Sequence, residues 1–307
     1  MNSQTLFAPE TELQNELTYF NRTRLSPSVF SEDWKSRLEL EIGFRLREGE
    51  MVEQARAEIA PFLRDLPIDA PEFMKWFDAL RTNGPGQNDP LFSWLEHNCG
   101  YDQMRWFIEQ EVAGEAGFED LVAYTQIKMP TRAKLELARN YWDEMGRGNE
   151  KGMHGPMLAS LAKELQIDTE QSEVVPEARA LGNLMVALAT NRHFAFQSIG
   201  CLGAVELTAP DRARAVYRGL KRLGVTPTGQ RYYLLHSTLD EQHSRSWNEE
   251  VIAPLVEEHP ETMKPIAEGA LLRLNAGAKC FLRYRAHLWK FGTRTHEIPR
   301  EPDQLHH

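Results

Sequence analysis

Three histidines and three carboxylates stand out in this 307-residue chain, because their spacing could bring nitrogen and oxygen lone pairs to one point. The clearest segment is His236-Ser237-Thr238-Leu239-Asp240-Glu241-Gln242-His243. His236, Asp240 and His243 are spaced i, i+4, i+7, which places them on one face of a helix. In a bundle helix that face is normally apolar, and ionisable groups there are costly unless a partner such as a metal takes their lone pairs. A solvated polar stripe is the competing reading of this segment taken alone.

A second segment, Asn140-Tyr141-Trp142-Asp143-Glu144-Met145-Gly146-Arg147-Gly148, is followed by Met153-His154. Glu144 and His154 lie ten residues apart and would sit about 80° apart on a straight helix. Their convergence requires a bulge or unwinding, for which Gly146 and Gly148 are suited. The plainer reading is a surface carboxylate followed by a histidine beyond a turn. Glu206 closes the run Ile199-Gly200-Cys201-Leu202-Gly203-Ala204-Val205, whose small residues suit close helix packing, and it otherwise reads as a helix-end carboxylate before Thr208-Ala209-Pro210. Glu144, His154, Glu206, His236, Asp240 and His243 together would complete the ligand set of two metal ions in a helical bundle. Carboxylate and imidazole without thiolate suit iron or manganese better than structural zinc.

Periodicity near 3.6 residues dominates the chain, so the fold class is all-α. Helices are expected near residues 9–21, 29–64, 71–82, 90–97, 101–126, 131–147, 150–165, 177–205, 209–223, 228–258 and 260–290. Asn83-Gly84-Pro85-Gly86 marks a loop, Thr208 before Pro210 and Thr226 before Pro227 read as helix starts, and Gly224 as a helix end. The expected organisation is an N-terminal helical extension over 1–98, a helical bundle over 99–292 and a C-terminal tail over 293–307.

Charge and cysteine usage narrow the function classes. A net charge of −10 with no segregated basic cluster gives no footprint for nucleic acid. Cys99, Cys201 and Cys280 are too dispersed for a disulfide framework or a zinc knuckle, which suits a reducing cytoplasm. No apolar run is long enough to span a membrane, and the first thirty residues resemble no leader. No glycine-rich phosphate loop is present.

The order Glu, ten residues, His, then Glu, then HxxxDxxH resembles the haem-oxygenase-like diiron oxidases and oxygenases, described broadly as iron-containing redox enzymes. Trp142-Asp143-Glu144-Met145-Gly146-Arg147-Gly148 and Asp240-Glu241-Gln242-His243-Ser244-Arg245-Ser246-Trp247 carry the likeness, which covers roughly residues 100 to 285. The resemblance implies a haem-oxygenase-like bundle in which Glu144, His154, Glu206, His236, Asp240 and His243 hold two iron ions. It further implies O₂ as co-substrate, an external reductant, and a small-molecule substrate such as an amino acid, amine or fatty acid, undergoing N-oxygenation, desaturation or C–C cleavage. A homodimer is a further family-level expectation.

Some N-oxygenating members carry one more glutamate from the preceding helix, and Glu115 is the candidate here, with Glu109, Glu111 and Glu119 as neighbours. Glu111, Glu115 and Glu119 also read as a solvated acidic face. Two rivals to the diiron reading are a metal-independent thiaminase-like or cofactor-maturation enzyme on the same bundle, and a non-catalytic helical interaction protein. His193, Tyr232, Tyr233, Trp106, Phe107, Phe281 and Trp289 are read by default as core residues.

Overall fold

The computed structural model describes residues 4–29, 32–114, 117–168 and 173–289, with side chains from residue 11 onward. Thirteen α-helices among the described residues build an all-α bundle: α1 Gln4–Leu25, α2 Trp34–Ile59, α3 Ala70–Asn83, α4 Pro90–His97, α5 Tyr101–Gly114, α6 Phe118–Thr125, α7 Thr131–Glu144, α8 His154–Glu164, α9 Pro176–Thr190, α10 Ala195–Arg222, α11 Pro227–Ser246, α12 Ala253–Glu258 and α13 Met263–Leu288. There is no β-strand among the described residues. No helix among them is long and apolar enough to cross a membrane. Glu115 and the expected tail over 293–307 lie outside the described residues.

Local chemistry explains most helix ends. Thr226 opens α11 by accepting the Gly229 N–H, and Pro227 occupies a first-turn position where no N–H is missed. Gly224, at φ 79°, ends α10 in the left-handed conformation that a side chain would disfavour. Asp69 and Asp89 cap α3 and α4 in the same way as Thr226.

Several expected elements are redrawn. The reading of one helix over 101–126 fails at Gly117, whose φ of 69° breaks it into α5 and α6. The expected break at Thr208-Ala209-Pro210 is absent: α10 passes through Pro210, and the break lies earlier, at Asn191 and a 3₁₀ turn over Arg192–Phe194. Thr208 is therefore no helix cap; its hydroxyl donates back to the Ala204 carbonyl at 2.7 Å. Proline inside a helix forfeits one N–H bond, here the one that would reach the Glu206 carbonyl, and burial of nearly the whole apolar face of α10 outweighs that loss. The expected 228–258 helix is α11 and α12 joined by a π-helical turn over Trp247–Ile252.

α10 is the central strut, packed on α11 and α13 and touching α4 and α9. It meets α13 backbone to backbone: a Cβ on Gly200 would lie 1.8 Å from the Ile266 carbonyl oxygen, and one on Gly269 1.8 Å from that of Gln197. Only glycine permits this crossing. All three cysteines are free and buried.

Candidate metal centre

The unwinding expected between Glu144 and His154 takes a definite form. α7 stops at Glu144, two 3₁₀ turns over Gly146–Gly148 and Glu150–Gly152 follow, and α8 begins at His154. A bridge between Met145 and Met153 closes this clasp. Gly146 has φ 61°, and a Cβ there would sit 2.3 Å from the Gly152 carbonyl carbon, so the clasp closes only with glycine at 146. The result sets Glu144 and His154 face to face, with His154 Nδ1 against Glu144 Oε2.

α11 brings the HxxxDxxH face to the same place. The His154 and His236 rings lie 4.6 Å apart, and His243 Nδ1 is 3.5 Å from Glu206 Oε1, 3.9 Å from Glu144 Oε1 and 4.0 Å from Asp240 Oδ1. Glu206 reaches the cluster from the middle of α10, so its reading as a helix-end carboxylate is also set aside. Five of the six side chains are almost wholly buried, between 2% and 5% exposed, and His236 opens partly onto a cavity. A solvated stripe on separate helices, the sign of a non-catalytic protein, is not what these positions form.

Five of the six groups fall into two overlapping sets. Glu144, His154 and His236 offer ligand atoms within 4.8 Å of one another, and so do Glu144, Glu206 and His243. Glu144 belongs to both. Asp240 stands beside His243 and lines the same cavity.

The ring orientations suit lone-pair donation. His236 Nδ1 lies 2.8 Å from the Tyr232 carbonyl, which can only accept, so Nδ1 carries the hydrogen and Nε2 is left with its lone pair. His243 Nε2 donates to Asp143 Oδ2 at 3.2 Å, leaving Nδ1 turned toward the carboxylates. Asp143 is held in turn by Arg147 at 2.6 Å, a residue in the left-handed region at φ 54° inside the clasp. Asn140, one turn before Glu144, donates to Glu206 Oε1 at 2.6 Å.

Charge bears on whether metal ions fit. Burial and the neighbouring Glu206 charge hold the Glu144 carboxyl well above its usual range. Burial, with the charge of His243, lowers His154 to about 4, and burial with His154 does the same to His236. Burial opposes a charge on His243 too, but the carboxylates of Glu206, Glu144 and Asp143 outweigh it and raise that ring to about 9. Protons on Glu144 and His243 thus offset negative charge that cations would otherwise neutralise. His154 Nδ1 and His243 Nδ1 are buried and turned toward the cluster carboxylates. Crowded carboxylates beside inward-facing imidazole nitrogens fit divalent cations bound through nitrogen and oxygen.

Other expected residues fall differently. Glu119 lies near the cluster, its Oε1 3.0 Å from where a Gly155 Cβ would be, and its charge acts on both Glu144 and His154. Glu111 is not on a solvated acidic face; it lines the cavity, where the charges of Arg273 and Arg212 act on it. His193 is exposed against Phe194, away from the cluster. Tyr232, Tyr233 and Phe281 line the cavity. Sequence reading missed Asn140, Asp143, Arg212 and Arg273; the available signals were two polar residues flanking Glu144, and a lone arginine within Ala270-Leu271-Leu272-Arg273-Leu274.

The chain matches the iron-containing redox enzyme family over residues 105–278, a span that contains all six cluster residues. Two solved structures of a CADD-like protein of unknown function from Nostoc punctiforme PCC 73102 are similar at 15% identity. One covers 72% of this chain and 96% of that one at a TM-score of 0.55, the other 79% and 99% at 0.52. At that identity the likeness concerns the fold alone. No curated protein matches the sequence.

Proposed function

The chain belongs to the iron-containing redox enzyme family and is thus an oxidoreductase, and from that premise we propose that it is a non-haem diiron enzyme using O₂ to oxidise a small organic molecule. The observation that carries this reading is the pair of ligand sets sharing Glu144. Glu144, His154 and His236 would hold one ion, and Glu144, Glu206 and His243 the other, with Asp240 beside His243 as the sixth ligand. Two ferrous ions, when bound, supply the electrons and the open coordination positions for O₂.

The chain's own residues do the rest. The Tyr232 carbonyl and Asp143 fix the hydrogens on His236 Nδ1 and His243 Nε2, so that the opposite nitrogens face inward. Asn140 restrains Glu206, so the carboxylate need not be ordered on binding. Leu158, Leu181, Met185 and Val205 line the adjoining cavity and keep bulk water from the cluster.

Metal analysis after anaerobic Fe(II) loading tests the reading. Two irons per chain are expected, about one in His154→Gln or His243→Gln, and none tightly held in Glu144→Gln. Fewer than one iron in the unaltered chain would overturn it.

A further inference from the structure

The cavity beside the cluster has a second polar group that the metal reading leaves without a role. Its volume is about 130 Å³, close to the ~150 Å³ of a cavity that takes up benzene, so it suits a short organic body. Glu144, Glu206, His236 and Asp240 line it, and so do Glu111 from α5, Arg212 from α10 and Arg273 from α13. The charges of these last three act on one another. The metal-cluster groups are absent from the leading influences on Glu111 and Arg212, so the two polar groups are distinct. Glu206 and Arg212 are six residues apart on one helix, about 9 Å along its axis. Leucine, methionine, valine and phenylalanine side chains make up much of the remaining lining.

Two guanidinium groups act there on one cavity carboxylate, and Asp211, the other carboxylate whose charge reaches Arg212, is exposed and paired with Arg214, so the cavity end keeps one positive charge in excess. Arg212 is already committed: Nε donates to the Thr208 carbonyl at 2.9 Å, Nη2 bonds the Thr208 hydroxyl, and the guanidinium lies 5.4 Å from the Phe281 ring centre. Arg273 is not. Its Nε and Nη1 are buried and make no hydrogen bond, a costly state for a charged fork of donors. A carboxylate answers both deficits, because it accepts two parallel N–H bonds from guanidinium and cancels the excess charge.

We propose that Arg273, backed by Arg212, anchors the substrate's carboxylate, so that the enzyme takes a small carboxylic acid whose apolar chain lies along the cavity toward the Glu144–Glu206–His236–Asp240 cluster. This rests on the proposed function only in calling the ligand a substrate. The acid end is fixed by Arg273 on α13, apart from the cluster residues on α7, α10 and α11, and the apolar chain occupies the cavity between them. An amine without a carboxylate would bring a second positive charge to Arg273 and is excluded as a good ligand.

Calorimetric titration of the metal-free protein with hexanoate, hexanamide and 2-aminohexanoate tests the anchor independently of iron. Hexanoate is expected to bind at least tenfold more tightly than hexanamide, and Arg273→Gln to weaken hexanoate ten- to hundredfold while leaving hexanamide unchanged. Arg273→Lys, which keeps the charge and loses the fork, falls between. The acid-to-amide comparison in the unaltered chain needs no variant to fold. Tighter binding of 2-aminohexanoate than of hexanoate identifies an α-amino acid whose ammonium meets Glu111; weaker binding identifies a simple acid. Equal affinity for acid and amide, no binding of any of the acids, or hexanoate affinity unmoved by Arg273→Gln would overturn the proposal. A failed iron count with the acid preference intact would strike the diiron reading alone.

Discussion

Replacing Gly200 by alanine tests whether the crossing of α10 and α13 is as tight as described, and with it the frame that carries Glu206 on one helix and Arg273 on the other. The new methyl would lie 1.8 Å from the Ile266 carbonyl oxygen. Ordinary contact needs roughly 3.4 Å, so the helices must separate by about 1.5 Å against a close-packed interior. Overpacking of this severity costs about 3 kcal/mol. With a urea dependence of about 3 kcal/mol per molar, the unfolding midpoint of Gly200→Ala should fall by roughly 1 M. Gly49→Ala is the matched control: it sits inside α2 with nothing within 4 Å of the added carbon, and should raise stability by about 0.5–1 kcal/mol through helix propensity alone. Opposite signs from one substitution type at two helical glycines would follow only from the local geometry. A Gly200→Ala midpoint within about 0.2 M of the unaltered chain, on the same urea dependence, would refute the backbone contact.

Asp143→Asn should weaken iron binding ten- to hundredfold in chelator competition, since it leaves every ligand in place and removes the carboxylate that orients His243; unchanged affinity would deny Asp143 that role. His236 has a folded value of about 4, below its ordinary 6.5, so its contribution to the metal-free fold is whole above pH 6.5 and is lost as pH falls toward 4. Stability of the metal-free chain should therefore drop between pH 6.5 and 4.5 by on the order of 2 kcal/mol more than that of His236→Gln, and parallel pH curves would contradict it.

The helical class and the placing of Glu144, His154, His236, Asp240 and His243 were legible because they rest on local spacing, whereas Glu206, at the end of a small-residue run, stood out only beside the other segments. HxxxDxxH fixes one helical face whatever surrounds it, and the glycines at 146 and 148 advertise an unwound joint. What could not be read depends on packing between distant segments. Pro210 looks like a stop, and only burial of α10 on α11 and α13 carries the helix through it. Glu111 looks like part of an acidic surface with Glu115 and Glu119, because its compensating charges come from residues 101 and 162 positions further along the chain. Asp143 and Asn140 sat next to a named ligand, yet their partners, His243 and Glu206, lie on other helices.

The π-helical turn over Trp247–Ile252 holds one residue more than an α-helical path would need. Trp247 pins its start by donating to the Ile199 carbonyl at 3.2 Å. Histidines lie before it and Arg273 after it, on separate helices. The extra residue is taken up locally, so the HxxxDxxH face of α11 and the packed face of α12 each keep their own register instead of sharing one helical phase. The joint lets the candidate ligand face follow the polar cluster and the next segment follow the core, neither dictating the other's rotation.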